Sequence, residues 1–199
     1  MSYHRAKSVR YIFHLTGARV QPADDITSTR ITYQQITAED WPFFVALQRD
    51  PRISRYLASS RDDEAMRAAF DSRLPRWAPG SSHWLCLVMR EKRSGEPFGV
   101  TGFIDRGDGV AEVGYLLATR VHGQGLGYES LQAICGYAFQ VCNYRKLVAT
   151  VTVGNEPSKR VLEKGGFVLE GTLRENYFLD NRWQDDWLFG LLAREFTPG

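Results

Sequence analysis

The sequence predicts a mixed α/β domain, on three observations. Residues 112–117 form a compact apolar run, followed by a glycine turn and then by apolar residues at helical spacing. Residues 148–153 read as a second strand that leads into a capped helix start. Two further stretches, 83–105 and 167–192, read as pairs of strands joined by short polar turns.

The elements follow in order. Residues 30–36 alternate as a first core strand, and 38–48 carry helical spacing. Asp50-Pro51-Arg52-Ile53-Ser54 interrupts that pattern. A second helix is expected over 62–77, where Asp62 and Asp63 suit the positive end of a helix dipole. Strands at 83–90 and 98–105 meet near Ser94-Gly95, and Gly107-Asp108-Gly109 turns the chain into the 112–117 strand. Behind the glycines, Leu131, Ile134, Cys135, Ala138, Val141 and Cys142 fall on one helical stripe. Asn155-Glu156-Pro157-Ser158 opens another helix with a capping side chain and an early proline, and Gly165-Gly166 closes it. The last strands, 167–179 and 183–192, turn at Asp180-Asn181. Residues 1–29 precede this core. Within them 9–15 read as a strand, in an extension expected to pack on the domain or on a partner chain; residues 30–199 form the main domain.

Composition narrows the function. The chain has 199 residues, enough for one compact unit with a sizeable core. Its formal net charge of +2 is too near balance to argue for nucleic acid. No apolar run approaches the length that spans a bilayer, and the first residues do not read as a signal peptide. Cys86, Cys135 and Cys142 lack metal-ligand spacing, so no metal is expected. An odd number of cysteines on core elements suits reduced thiols and a cytoplasmic setting. Cys135 and Cys142, on one helix, read as core filling, with an acyl-cysteine as the alternative.

The chemistry centres on His122-Gly123-Gln124-Gly125-Leu126-Gly127. A glycine turn that opens a helix leaves the helix's first N–H groups free and aimed at one spot, at the positive end of the dipole. Such a spot holds phosphate or diphosphate. Side chains at the glycine positions would keep a phosphate off the backbone. The loop is not a P-loop, because Tyr128-Glu129 stands where Lys and Ser or Thr are needed. Its glycine spacing and late position also disfavour a dinucleotide fingerprint.

Glycine loop, helix, strand, Asn155-x-x-Ser158, helix and Glu163-Lys164-Gly165-Gly166-Phe167, in that order, resemble the GNAT superfamily of acyl-CoA-dependent N-acetyltransferases. The nearest branch is the RimJ/RimL-like group, which acetylates ribosomal-protein N-termini. Residues 29–40 are similar to that branch's opening strand and helix. Residues 171–189 are similar to its closing strand pair, so the likeness covers about 29–195. It implies a mixed, mostly antiparallel central sheet of about seven strands with flanking helices.

The likeness also implies acetyl-CoA as acetyl donor and an amine as acceptor, either a protein N-terminal α-amine or a small-molecule amine. No nucleic-acid or membrane partner is implied, and relatives occur as monomers and homodimers. Transfer is expected by direct attack in a ternary complex. The diphosphate would lie on the amides of Gln124, Gly125, Leu126, Gly127 and Tyr128, with Gly123 and His122 beside them. The pantetheine arm would add itself to the strand of Tyr115-Leu116-Leu117, where a backbone N–H near Leu116 or Leu117 faces the developing oxyanion.

Glu112 is the candidate base, with an ordinary strand-end carboxylate as the alternative reading and Asp105 as the alternative base. Many members carry a tyrosine seven residues after the motif asparagine. Here that residue is Leu162, so Ser158 becomes the candidate acid, or else a helix-capping hydroxyl. Asn155 would bond the pantetheine or the amine, or simply cap its helix. Lys159 and Arg160 are read as phosphate contacts or solvated charges. Tyr56, Trp77, Trp84, Tyr177, Phe178 and Trp183 are candidate lining for the acceptor pocket. The other readings are a CoA-binding sensor that lacks catalysis and a nucleotide-binding domain of another fold.

Overall fold

A computed structural model describes residues 26–57, 62–179 and 181–199. The extension's expected strand at 9–15 and the turn residue Asp180 lie outside the described residues. Seven strands form one sheet: β1 Ile31–Gln35, β2 Leu85–Glu91, β3 Pro97–Gly107, β4 Val110–Leu117, β5 Lys146–Thr152, β6 Val168–Leu179 and β7 Arg182–Leu192. Five helices accompany them: α1 Trp41–Arg49, α2 Pro51–Ser54, α3 Asp63–Asp71, α4 Leu126–Gly136 and α5 Glu156–Lys164. The strand order is β1-β2-β3-β4-β5-β7-β6, and among the described residues only β4 and β5 pair in parallel.

The sheet is covered on both faces at β2, which explains that strand's unbroken apolar run, whereas β6 at the edge is largely exposed. Leu85, Leu87 and Met89 join a large cluster with Leu131, Ile134 and Cys135 of α4 and Leu162 of α5. Cys86 and Val88 face the other way, into a second cluster with Phe44 and Leu47 of α1, Ile53 of α2, and Met66 and Phe70 of α3. The same alternation runs along β4. Ala111, Val113, Tyr115 and Leu117 face the α4–α5 layer, and Leu116 faces α1–α3.

Two elements differ from the sequence reading. The second helix ends at Asp71, six residues short of Trp77. Ser72 caps it, and Pro75 stands where the next turn would need an N–H. Trp77 instead sinks into the large cluster, 1% exposed, with its ring edge-on to Phe103. After Gly136 the helix widens into a π turn over Tyr137–Val141, with the Cys142 amide bonding the Tyr137 carbonyl at 3.1 Å. The extra residue in that turn rotates Val141 off the apolar stripe, and it lies 42% exposed.

Candidate active site

The β4–β5 pair is short. Val110, Ala111 and Glu112 pair with Lys146, Leu147 and Val148; past them the pairing ends, although β4 runs on to Leu117 and β5 to Thr152. The two strands part there and leave one edge of β4 without a neighbouring strand among the described residues. The Ala118 amide bonds Phe98 of β3 at 2.7 Å, which sets the alternation of the antiparallel ladder. Leu116 and Gly114 therefore point their backbone groups at β3. Val113, Tyr115 and Leu117 point theirs into the parting.

The glycine turn lies at the mouth of that parting. Gly125 caps α4 with φ +78°, and Gly123 has φ +77°, a backbone region that excludes most side chains. The Gln124 amide reaches the Val121 carbonyl at 3.4 Å, the His122 amide bonds Thr119, and Glu129 bonds back to Gly125. Among the described residues, the amides of Gly123, Gly125, Leu126, Gly127 and Tyr128 have no protein partner. Gly127 is helical, and a Cβ there would meet Leu117 and Val161 only at ordinary contact distances of 3.7–3.9 Å. Packing alone does not demand a glycine at that position. A bare first turn with free amides is the surface a phosphate needs.

Side chains around the turn hold its shape. His122 Nε2 lies 3.0 Å from the Leu117 carbonyl. The Gln124 side chain turns back to the Arg120 carbonyl at 2.9 Å, and the Leu126 side chain is buried in the large cluster. Lys164 lies over the Tyr128 ring, 4.3 Å from its centre. Arg30, from the start of the chain's first strand, donates to the Gln124 carbonyl at 3.0 Å. Its main-chain N and Nε each donate at 2.7 Å to Glu129, which also accepts from Ser28. Burial alone would raise the Glu129 carboxyl, but the Ser28 and Arg30 hydrogen bonds and the Arg30 charge outweigh it and hold the group below its ordinary range. Sequence reasoning missed Arg30 because its partners lie about a hundred positions away.

On the same face, the phenol of Tyr115 meets α5. Its Oη lies 2.9 Å from Ser158 Oγ and 3.3 Å from the Ser158 carbonyl. Burial pushes the Tyr115 phenol up to about 12, against the lowering effect of the Ser158 hydroxyl. Asn155 caps α5 by accepting from the Ser158 amide at 3.3 Å. Leu162 is fully buried in the core. A phenol from β4 thus stands beside α5, where Leu162 offers none. Lys159 lies over the Trp187 ring, 4.8 Å from its centre.

Glu112 stands on the opposite sheet face, at the point where the strands part. Its Oε2 accepts from Arg106 Nε at 2.8 Å and Nη2 at 2.5 Å, and its Oε1 has no partner among the described residues. Leu116 lines this face with its side chain, and Trp84 packs over Gly114. The cysteines are free, and burial drives the Cys86 and Cys135 thiols well up, away from the thiolate that an acyl-cysteine would require.

A parted strand pair, with a helix start of amides that have no described partner and a paired phenol and serine on one face, is an arrangement suited to an extended diphosphate-bearing acyl carrier. A family model described as an acetyltransferase (GNAT) domain matches residues 30–168. The chain belongs to that family, the acetyl-CoA-dependent N-acetyltransferases. The N-acetyltransferase p20 of Bacillus licheniformis is 27% identical over 178 residues, covering 87% of this chain and 99% of the relative. A ribosomal-protein-serine acetyltransferase of Escherichia coli is 36% identical over 76 residues, 38% of this chain and 42% of its own. Among solved structures, spermidine N-acetyltransferase from Vibrio cholerae in complex with CoA and spermine superposes with a TM-score of 0.72 at 20% identity. That superposition covers 83% of this chain and 97% of the other, and it bears on the fold.

Proposed function

We propose that this enzyme acetylates a primary amine by direct attack on acetyl-CoA within a ternary complex, without an acyl-enzyme. The reading rests above all on the parted β4–β5 edge and on five amides beside it that have no partner among the described residues. The amides of Gly123 and of Gly125, Leu126, Gly127 and Tyr128 would hold the diphosphate. The β4 edge of Tyr115 and Leu117 would pair with the pantetheine amides, and one of those N–H groups would face the oxyanion. A single such donor is typically worth about 3 kcal/mol of barrier. When bound, the coenzyme supplies an activated thioester.

Glu112 accepts the amine's proton through Oε1, directly or by way of water; a free amine near pKa ~10 must lose that proton before it attacks. Tyr115 and Ser158 hydrogen-bond the departing sulfur. A phenol near 12 is a weaker acid than a thiol near ~8.5, so full transfer of its proton would cost about 5 kcal/mol. The pair therefore stabilises a leaving thiolate rather than protonating it. Asn155 holds the α5 start in register and offers its amide to the pantetheine. The acceptor is a protein N-terminal α-amine or a small-molecule amine such as a polyamine. The protein acts in the cytoplasm as a monomer or a homodimer, and residues 1–29 form an extension to the domain.

A second reading, a CoA-binding sensor of the same fold, draws on two observations: Leu162 at the usual tyrosine position and the Arg106 hold on Glu112. Thiol release from acetyl-CoA with an amine panel, for wild type, Glu112→Gln and Ser158→Ala, separates the two. Turnover that falls in both variants supports the enzyme. Tight CoA binding with no turnover on any amine supports the sensor.

A further inference from the structure

Asp186, in the middle of β7, is 4% exposed, yet no cation pairs with it among the described residues. Its Oδ2 accepts from Asn176 Nδ2 at 2.7 Å, and no described group donates to Oδ1. An ionised carboxylate buried to this degree is costly unless something compensates its charge. Among its described neighbours Asn176 donates one hydrogen bond, and none forms an ion pair with it. Tyr177 Oη lies 2.6 Å from Thr152 Oγ1, which itself donates to the Tyr56 carbonyl at 3.2 Å. The Tyr177 proton is thus directed at Thr152, and among the described residues Asn176 is the one hydrogen-bond donor to the Asp186 side chain.

The adjacent Asp185 differs, since it accepts from the Glu175 amide at 2.7 Å and pins the β6 bulge where Glu175 has φ +50°. That bond accounts for Asp185 and leaves Asp186 with half its capacity open. Burial, and the Asp186 charge in addition, push the Tyr177 phenol up against the lowering effects of the Thr152 hydrogen bond and the Arg182 charge.

The location connects this group to the acceptor side. Trp187, Phe189 and Leu191 of β7 face the α4–α5 layer, so Asp186 faces the opposite side, as do Glu112 and Thr152 on their strands. Asp186 pairs across the ladder with Thr152, four residues along β5 from Val148, where β4 and β5 part. Four strand residues span ~13 Å. Resting on the acetyltransferase reading above, we infer that Asp186, with Tyr177 and Thr152 beside it, binds a second cationic group of the acceptor, on the same sheet face as Glu112. The substrate class is therefore a diamine, a polyamine or a basic peptide start, rather than a simple monoamine.

Calorimetric titration of spermidine and of benzylamine into the CoA-loaded protein, together with initial rates on acetyl-CoA, tests this for wild type and Asp186→Asn. Wild type should bind spermidine at least tenfold more tightly than benzylamine. In Asp186→Asn that gap should fall below threefold, with the KM for spermidine raised at least tenfold, kcat within threefold and the CoA affinity unmoved. A residue that merely pins β6 would instead shift both amines together. Equal binding of the two amines by wild type, or an undiminished gap in the variant, overturns the inference. If Asp186→Asn does not fold, Tyr177→Phe decides, a narrowed gap supporting the inference and a full gap overturning it. Absence of turnover on every amine would sink the transfer reading, while the binding gap would still decide this one.

Discussion

Tyr115 and Ser158, 43 positions apart, meet with 2.9 Å between their hydroxyl oxygens, where β4 faces the start of α5. The contact joins the edge of β4 that lacks a described neighbouring strand to the helix that Asn155 caps. It gives the site a phenol that helix α5 itself lacks at Leu162. Tyr115→Phe should lower kcat by roughly ten- to a hundredfold, a loss of one strong donor to a developing charge. The KM for acetyl-CoA should stay within threefold. Because the two hydroxyls act as a unit, Ser158→Ala added to Tyr115→Phe should cost much less than the product of the single effects. Thiol-release kinetics on the three variants checks both points.

Gly127 offers a test in which stability and binding move apart. Its Cβ position is open apart from ordinary contacts with Leu117 and Val161. Gly127→Ala should therefore leave the melting temperature unchanged or raise it, since alanine favours a helix over glycine by up to about 1 kcal/mol. The acetyl-CoA dissociation constant should nonetheless rise at least tenfold, because the methyl group stands between phosphate and amide. Thermal melts and calorimetric titration measure the two quantities on one sample.

The Glu129 latch predicts a pH dependence. Its carboxylate is held below the ~4.3 of an unfolded glutamate, so its contribution is fully present above about pH 5. That contribution disappears as the pH falls through the folded-state value. Arg30 is half exposed, so screening limits the effect to about 1 kcal/mol. The melting-temperature advantage of wild type over Glu129→Gln should be constant from pH 5 to 7 and shrink below pH 4. An advantage that grew with acidity would contradict the assigned ion pair.

Glu112→Gln should lower kcat by about 10²-fold, the lower range for a positioned general base. Arg106→Ala should leave the carboxylate in place and reduce kcat far less. Steady-state rates across pH for both variants distinguish a base from a carboxylate that serves only to pair with Arg106.

Local chemistry was legible in the sequence, and contacts made across the chain were not. The glycine turn, the Asn155 cap and the strand–helix alternation each arise within a few residues, and the structure has them where their residues predict. The helix expected to reach Trp77 stopped at Asp71 because Pro75 ends what periodicity alone would extend. Val141 left its stripe because a π turn adds a residue that no side chain announces. Arg30 on Gln124, Tyr115 on Ser158 and the buried Asp186 depend on sheet order, which places distant strands side by side. In sequence Asp186 reads as one of several acidic groups near the last hairpin that would suit a cationic acceptor, and its burial without a counter-cation among the described residues is what the structure adds.

The most direct measurement is a crystal structure of the protein grown with CoA. The account predicts the diphosphate on the amides of Gly123 and of Gly125 through Tyr128, with the pantetheine along β4 and the sulfur within hydrogen-bond reach of Tyr115 or Ser158. A coenzyme bound away from the α4 start, or a sulfur on the far side of the sheet from Tyr115, would contradict it.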